Sequence, residues 1–342
     1  DASRGLVGND VLSGGLLTTA VKLSDVGSYP ISQGSLGNAN YAITLSPASG
    51  KVEVTARPLA VWTGAGGNGN WANDANWQGG VAPLASNVLN AVIPSGNGRI
   101  VYDQARPTTL LSLTSGVGLS VNGGILNLGQ VAGDVSTFAS GQNIIVAGGT
   151  LGIAGRLVAD QITVQSGTLN LSNAVLAVLN PLANAGTLNV LSGQFAINSG
   201  VTNTGAFNVV AGASLNLNSF AYSGSGSLSN AGQLTASAQT LHGFFTNTGV
   251  SDFTSMTLAN GFYNSGTINV LGNLQAAGVA ATQAGGRINL NSGATLTKDT
   301  GTLYWSGGEF GGNGTLAFTN GGMFAFTGNG DRVINNPNLA FN

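Results

Sequence analysis

Few side chains in this sequence could do acid–base or nucleophilic work, so their spacing is weighed first. There is one histidine, His242, between Leu241 and Gly243, and no cysteine at all. A nucleophilic relay needs a base held in place by a third group. No carboxylate lies close to His242 in sequence, so it reads as a loop or surface residue. The 12 acidic residues are scattered along the chain. Two pairs could meet on adjacent turns if the chain coils: Asp134 with Asp160, and Asp299 with Glu309. A glycosidase needs two carboxyl groups across one groove, and a calcium-dependent lyase needs several around the ion. Neither pair recurs with the repeat found below, so no catalytic residue and no enzyme activity is expected. A β-helical polysaccharide-degrading enzyme is kept as the lesser alternative.

Two glycine runs, Gly66-Gly67-Asn68-Gly69-Asn70 and Gly311-Gly312-Asn313-Gly314, resemble calcium-binding nonapeptide turns. Such turns need an Asp at a fixed place after the glycines; Trp71 and Thr315 stand there instead. No Gly-Lys-Ser/Thr follows a glycine run, so there is no phosphate loop. The sequons Asn170-Leu171-Ser172 and Asn313-Gly314-Thr315 read as chance. No metal and no cofactor is expected.

The elements that would carry any such residue follow from composition. Charged residues are 6% of the 342, against ~25% in ordinary globular chains. Apolar residues are 42% and glycines number 55. A disordered tail would be charged and poorly hydrophobic; this chain folds, with Asn, Ser and Thr solvating its surface. The net charge is −2 and the pI about 5.1. With no basic stripe to neutralise phosphates, nucleic acid is not an expected partner. No apolar run reaches the ~20 residues of a membrane helix, so membrane insertion is not expected. The absence of cysteine excludes a disulfide framework. No secretion signal is visible at Asp1.

From about residue 103 to Asn342 one motif recurs. Asn184-Ala185-Gly186-Thr187-Leu188-Asn189-Val190 returns from Asn203, from Asn230, from Asn247 and from Asn264. The intervals are similar except for the step from Asn203 to Asn230, which is longer. A period near 20 with a glycine turn and an alternating apolar strand predicts a parallel β-solenoid. Leu188 and Val190 would point inward and Asn189 outward. The five leading asparagines suit turns, where Asn tolerates left-handed geometry, and if stacked their amides could form a ladder. The longer gaps are expected to hold loops thrown out from one corner. About 12 coils would make a rod on the order of 60 Å. Almost no helix is expected.

Residues 61–102 carry three of the four tryptophans, Trp62, Trp71 and Trp77. Large aromatics there would cap the first coil against edge-to-edge pairing; alternatively they would stack on sugar rings. Trp305, in an aromatic stretch that runs to Phe341, is a further candidate for either role. Residues 1–57 read as short antiparallel β segments: around Gly15 to Val21, Ser28 to Ile31, Tyr41 to Leu45 and Lys51 to Val54.

The strings Gly5-Leu6-Val7-Gly8-Asn9-Asp10, Val26-Gly27-Ser28-Tyr29-Pro30-Ile31, Asn40-Tyr41-Ala42-Ile43 and Gly50-Lys51-Val52-Glu53-Val54 resemble the Gly-rich β modules called MBG domains. The family's opening strand is missing. Such modules recur in bacterial surface proteins, including filamentous-haemagglutinin-like adhesins, the passengers of two-partner secretion. The tryptophan segment resembles the one that precedes β-helical repeats in autotransporter-type passengers. The resemblance implies an extended rod, extracellular or on the outer surface of a Gram-negative bacterium, that supports attachment, aggregation or biofilm formation. It implies bacterial or host glycans or surface receptors as partners, and an outer-membrane secretion partner for a longer parent protein. A self-assembling extracellular matrix fibre, associating along its length or end to end, is the alternative. The expected organisation is a partial, β-sandwich-like MBG-type module at 1–57, a Trp-rich junction and cap or first coils at 58–102, and an all-β parallel β-helix at 103–342 that continues beyond the fragment.

Overall fold

A computed structural model describes residues 5–21, 24–45, 50–335 and 338–341. Asp1 and Asn342 lie outside the described residues, as does the side chain of Phe341.

The N-terminal module is a three-stranded antiparallel sheet of Leu17–Thr18, Gly27–Ser32 and Lys51–Val54, with Leu17 opposite Ser32 and Tyr29 opposite Val52. Pro30 lies in the central strand but beyond the reach of the two-residue first strand, so its missing N–H breaks no bond on that side. The expected strand at 41–45 is not formed. Tyr41 holds that segment instead: its hydroxyl accepts from the Val7 amide at 2.7 Å and donates to Asp10 Oδ2 at 2.8 Å. Among the described residues the module is one sheet deep, not a sandwich. Its alternating apolar side chains meet no second layer, and the buried core begins only at Ala60.

Parallel pairing starts at Arg57–Val61, which pairs with Val88–Ile93, and every later solenoid strand pairs in parallel. Each coil has three faces. Thr187–Gln194 runs along face A and turns onto face B; Gly200–Asn203 lies on face C. Face A continues through Ala206–Val209, Ser227–Asn230, Phe245–Asn247, Phe262–Asn264, Ala280–Gln283 and Thr302–Trp305. Face B continues through Ala213–Asn216, Gln233–Ser237, Val250–Thr254, Thr267–Val270 and Arg287–Leu290. Face C forms one ladder from Ile100–Asp103 to Ala221–Ser223, and a second from Thr240–Leu241 to Asn338–Phe341. From Ser112–Ser115 to Arg332–Asn335, face B is twelve levels deep among the described residues. At ~4.8 Å per level the twelve span roughly 53 Å.

The period-two pattern of the sequence decides what fills the coil. Along Thr187–Gln194, Leu188 and Val190 are buried while Asn189 faces out. Leu188 stacks in register on Leu169 and under Phe207, both fully buried. Each such side chain contributes about 1.5–3 kcal/mol by leaving water. The core runs without interruption from Ala60 to Phe318.

Glycine sets how closely the coils approach at the corners. Gly167, Gly186, Gly205 and Gly226 stack at the corner from face C to face A, and Gly232, Gly249, Gly266 and Gly286 at the corner from A to B. A Cβ on Gly186 would lie 2.4 Å from the Gly167 carbonyl oxygen. Helix is confined, among the described residues, to the single turns Asp74–Asn76 and Leu217–Ser219.

Candidate functional site

The tryptophans of the first coil form one packed cluster. Trp62 follows the strand Arg57–Val61 and bridges to Trp77. Between them a single turn, Asp74–Asn76, is capped by the Asn73 side chain, which accepts from the Ala75 amide. Asn76 is fully buried and satisfied: its amide donates to Asn68 and Asn70 carbonyls and accepts from the Gly66 amide. The rings meet edge to face, Trp62 to Trp77 at 5.1 Å, Trp71 to Trp77 at 4.9 Å and Trp71 to Tyr102 at 5.6 Å. Trp71 Nε1 donates to the Pro83 carbonyl and Trp77 Nε1 to the Trp71 carbonyl. Burial raises the Tyr102 pKa, opposed by its bond with Thr108. Trp305 lies far along the rod, stacked on Phe324 at 5.7 Å. All four tryptophans are at most 2% exposed, so none offers a ring face to a sugar.

The five repeat asparagines are inside the coil. Each ends a strand at a corner and is at most 1% exposed. None has the positive φ expected of a turn asparagine; the following glycine makes the corner, which leaves the asparagine extended and its amide pointing in. The amides stack into two ladders. Asn184 Nδ2 donates to Asn203 Oδ1 at 2.7 Å. Asn230 donates to Asn247 at 3.0 Å, Asn247 to Asn264 at 2.8 Å and Asn264 to Gln283 Oε1 at 2.7 Å. Every donation runs toward the C-terminal coil. Trp305 stands over Gln283 in register and its Nε1 donates to the Gly307 carbonyl, two residues on, as Gln283 does to Gly285.

The two ladders occupy different corners. Asn184 and Asn203 end strands of face C, while Asn230, Asn247 and Asn264 end strands of face A. The long interval between Asn203 and Asn230 therefore holds no protruding loop, contrary to expectation. It holds a full coil and one more side: Ala206–Val209, Ala213–Asn216, Ala221–Ser223 and Ser227–Asn230. The motif has stepped to the next corner. At the start of the first ladder Asn184 Oδ1 lies over Val164 and has no hydrogen-bond partner.

One corner holds a cation. Lys298 is fully buried, and its Nζ donates to the carbonyls of Ala276, Gly278 and Thr300. Loss of hydration lowers its pKa below the 10.5 of ordinary lysine, and the neighbouring Asp299 opposes this. Asp299 accepts from Asn320, Thr319 and Gln275, bonds that hold its own pKa low. The unfolded chain keeps the Lys298 proton to higher pH than the folded one. Its contribution to stability therefore rises with pH between the folded pKa and 10.5. Thermal melting across alkaline pH should show the wild type gaining on Lys298→Met through that window; a constant difference would contradict it.

The carboxylate pairs are not brought together. Asp134 directly precedes the face B strand Val135–Phe138, and its Oδ2 accepts from the Gln130 and Val131 amides. Asp160 follows the far end of the next face B strand, Thr150–Ala159. Asp299 and Glu309 are separated by the face A strand Thr302–Trp305, and Glu309 pairs with Arg287 at 3.6 Å. His242 is exposed in the turn between Thr240–Leu241 and Phe245–Asn247. Among the described residues no three His, Cys, Asp or Glu are grouped to hold a metal, and no helix is long and apolar enough to cross a membrane.

Residues 2–50 match the family model of the MBG domain (YGX type). The match ends before the first solenoid strand at Arg57. No curated protein and no solved structure matches the chain. The chain thus joins an MBG-type module to a parallel β-solenoid scaffold.

Proposed function

We propose that this chain is a rigid length of stalk in a filamentous-haemagglutinin-like bacterial adhesin, secreted or displayed on the outer cell surface. The observation that carries this reading is the unbroken run of parallel levels around one core, with hydrogen-bonded amide ladders at its corners. Such a body resists bending, because successive coils are bonded to each other on faces A and B throughout, and on face C everywhere but between Ala221–Ser223 and Thr240–Leu241. An MBG-type module ahead of the rod supports the same assignment. The rod holds adhesive sites away from the cell, and repeated weak contacts along it add through effective concentration. Its partners are glycans or surface receptors of bacteria or host, and an outer-membrane secretion partner exports the parent protein.

The test is replacement within the full-length protein. Exchanging the solenoid for an unrelated rigid solenoid of equal length should keep cell attachment and aggregation. Exchanging it for a flexible Gly/Ser linker of equal residue number should lower them. If both replacements abolish attachment equally, this region makes the adhesive contact itself; if neither has an effect, the stalk reading fails.

A further inference from the structure

The step of the asparagine motif from one corner to the next leaves a break in the rod. Between Ile100–Asp103 and Asn338–Phe341, face C pairs every level with the next except one. Ala221–Ser223 pairs with Gly200–Asn203 on one side, and Thr240–Leu241 pairs with Met256–Leu258 on the other. The two strands do not pair with each other. Faces A and B run through that level unbroken, with Ser227–Asn230 on Ala206–Val209 and Gln233–Ser237 on Ala213–Asn216.

The corner from face B to face C explains the gap. In the lower coil it takes residues 217–220 and contains the turn Leu217–Ser219; in the upper coil it takes only residues 238–239. Strands led in by corners of such different length do not come into register. Ala238 makes the short corner with φ +51°, a left-handed conformation that is strained for a residue with a Cβ.

Two side chains stand in for the missing ladder. Asn218 Oδ1 accepts from the Ser237 amide at 2.6 Å and from its hydroxyl at 3.0 Å. Gln239 Nε2 donates to the Leu217 carbonyl at 2.6 Å. The stitching is incomplete, because Gln239 Oε1 is buried with no donor and gains one from water only when the coils part. The amide columns stop here as well. Asn203 ends the first ladder and Asn230 begins the second. The outward column of Asn170, Asn189 and Asn208 ends on the lower coil, where the next residue in register is Ser229.

The stability of a solenoid is a sum of terms between neighbouring coils, so the rod parts most readily where one term is smallest. We propose that this level is a built-in joint: the rod opens first between the coil that ends at Ser223 and the coil that ends at Leu241. It then behaves as two stiff bodies with one reversible break between them. The inference rests on the fold alone and not on the stalk reading.

The experiment is native-state hydrogen exchange of the whole chain, read at three amides in the same place on successive levels. At the corner from face A to face B, Val210 donates to Val190, Ala231 to Val209 and Thr248 to Asn230. Only the Ala231 bond crosses the joint. Its protection, corrected for intrinsic rates, should be about tenfold lower than that of either counterpart, because local opening releases it alone. Asn218→Ala removes a stitch at an exposed position and should lower the protection of Ala231 about fivefold further, with Val210 unchanged. Asn198→Ala removes a like bond to the Val178 amide, on a level whose face C is paired, and should leave Ala231 as it is. The proposal is overturned if Ala231 is not the least protected of the three. It is equally overturned if Asn218→Ala leaves Ala231 unchanged, or lowers all three alike, since the opening would then not be local to this level.

Discussion

Replacing Gly249 with alanine is expected to destabilise the rod by about 3 kcal/mol or more, at the high end for overpacking. The added Cβ would lie 2.2 Å from the Gly232 carbonyl oxygen and 2.5 Å from the Ala231 carbonyl carbon. Neither atom can swing aside, because both belong to backbone fixed in the coil below. The coils would have to part there, and the bonds from Thr248 and Gly249 amides to Asn230 and from Val250 to Gly232 would lengthen together. Gly133→Ala is the control: nothing lies within 4 Å of its added Cβ and its φ is not positive. Urea unfolding of the two variants should separate by the stated amount. Equal midpoints would show that the corner spacing is not set by glycine.

The second large effect is expected at Asn247, in the middle of the longer ladder. Its Nδ2 donates to Asn264 Oδ1, the Thr267 carbonyl and the Gly249 carbonyl, and its Oδ1 accepts from Asn230 and Ser251. Asn247→Leu keeps the approximate volume and removes all of these at once. Asn230, Ser251 and Asn264 then keep buried polar atoms with fewer partners, each worth about 1–3 kcal/mol when left unpaired. A loss of about 3–5 kcal/mol is expected, read from denaturant midpoints. Converting the whole column to leucine together with Ser251→Ala should cost less per site than the single change, because no side-chain orphan is left in the column. A single variant as stable as the wild type would mean that the amides are satisfied by water instead.

The solenoid was legible because period and pattern coincide. The spacing of the Asn-x-Gly motif gave the coil length, and the alternation through Leu188, Asn189 and Val190 gave the inward face. The place of the asparagines was not legible. An Asn before a glycine usually marks a solvated turn, and only the stacking of coils shows that the amide is turned inward. The step of the motif from one corner to the next was hidden for a related reason: the span from Asn203 to Asn230 fits a coil plus a side as well as a coil plus a loop. The tryptophan cluster could be located but not its packing, since a ring's face or edge is decided by contacts across turns, such as the donation from Trp77 to the Trp71 carbonyl. Tyr41 to Leu45 alternates like a strand, yet the Tyr41 hydroxyl binds it to Val7 and Asp10 instead.

The coil geometry also fixes how the protein would lengthen under a pull. Asp252 and Asn269 sit in register on successive face B strands, a full coil of chain apart. Each level nevertheless advances the rod by only ~4.8 Å. A freed coil of that size, about 17 residues, reaches roughly 58 Å when drawn straight. The backbone bonds between coils lie along the axis, in line with an axial load, and each coil that parts releases its own length of chain. A rod pulled from its two ends would therefore pay out slack loops, each many times the length it occupied when wound.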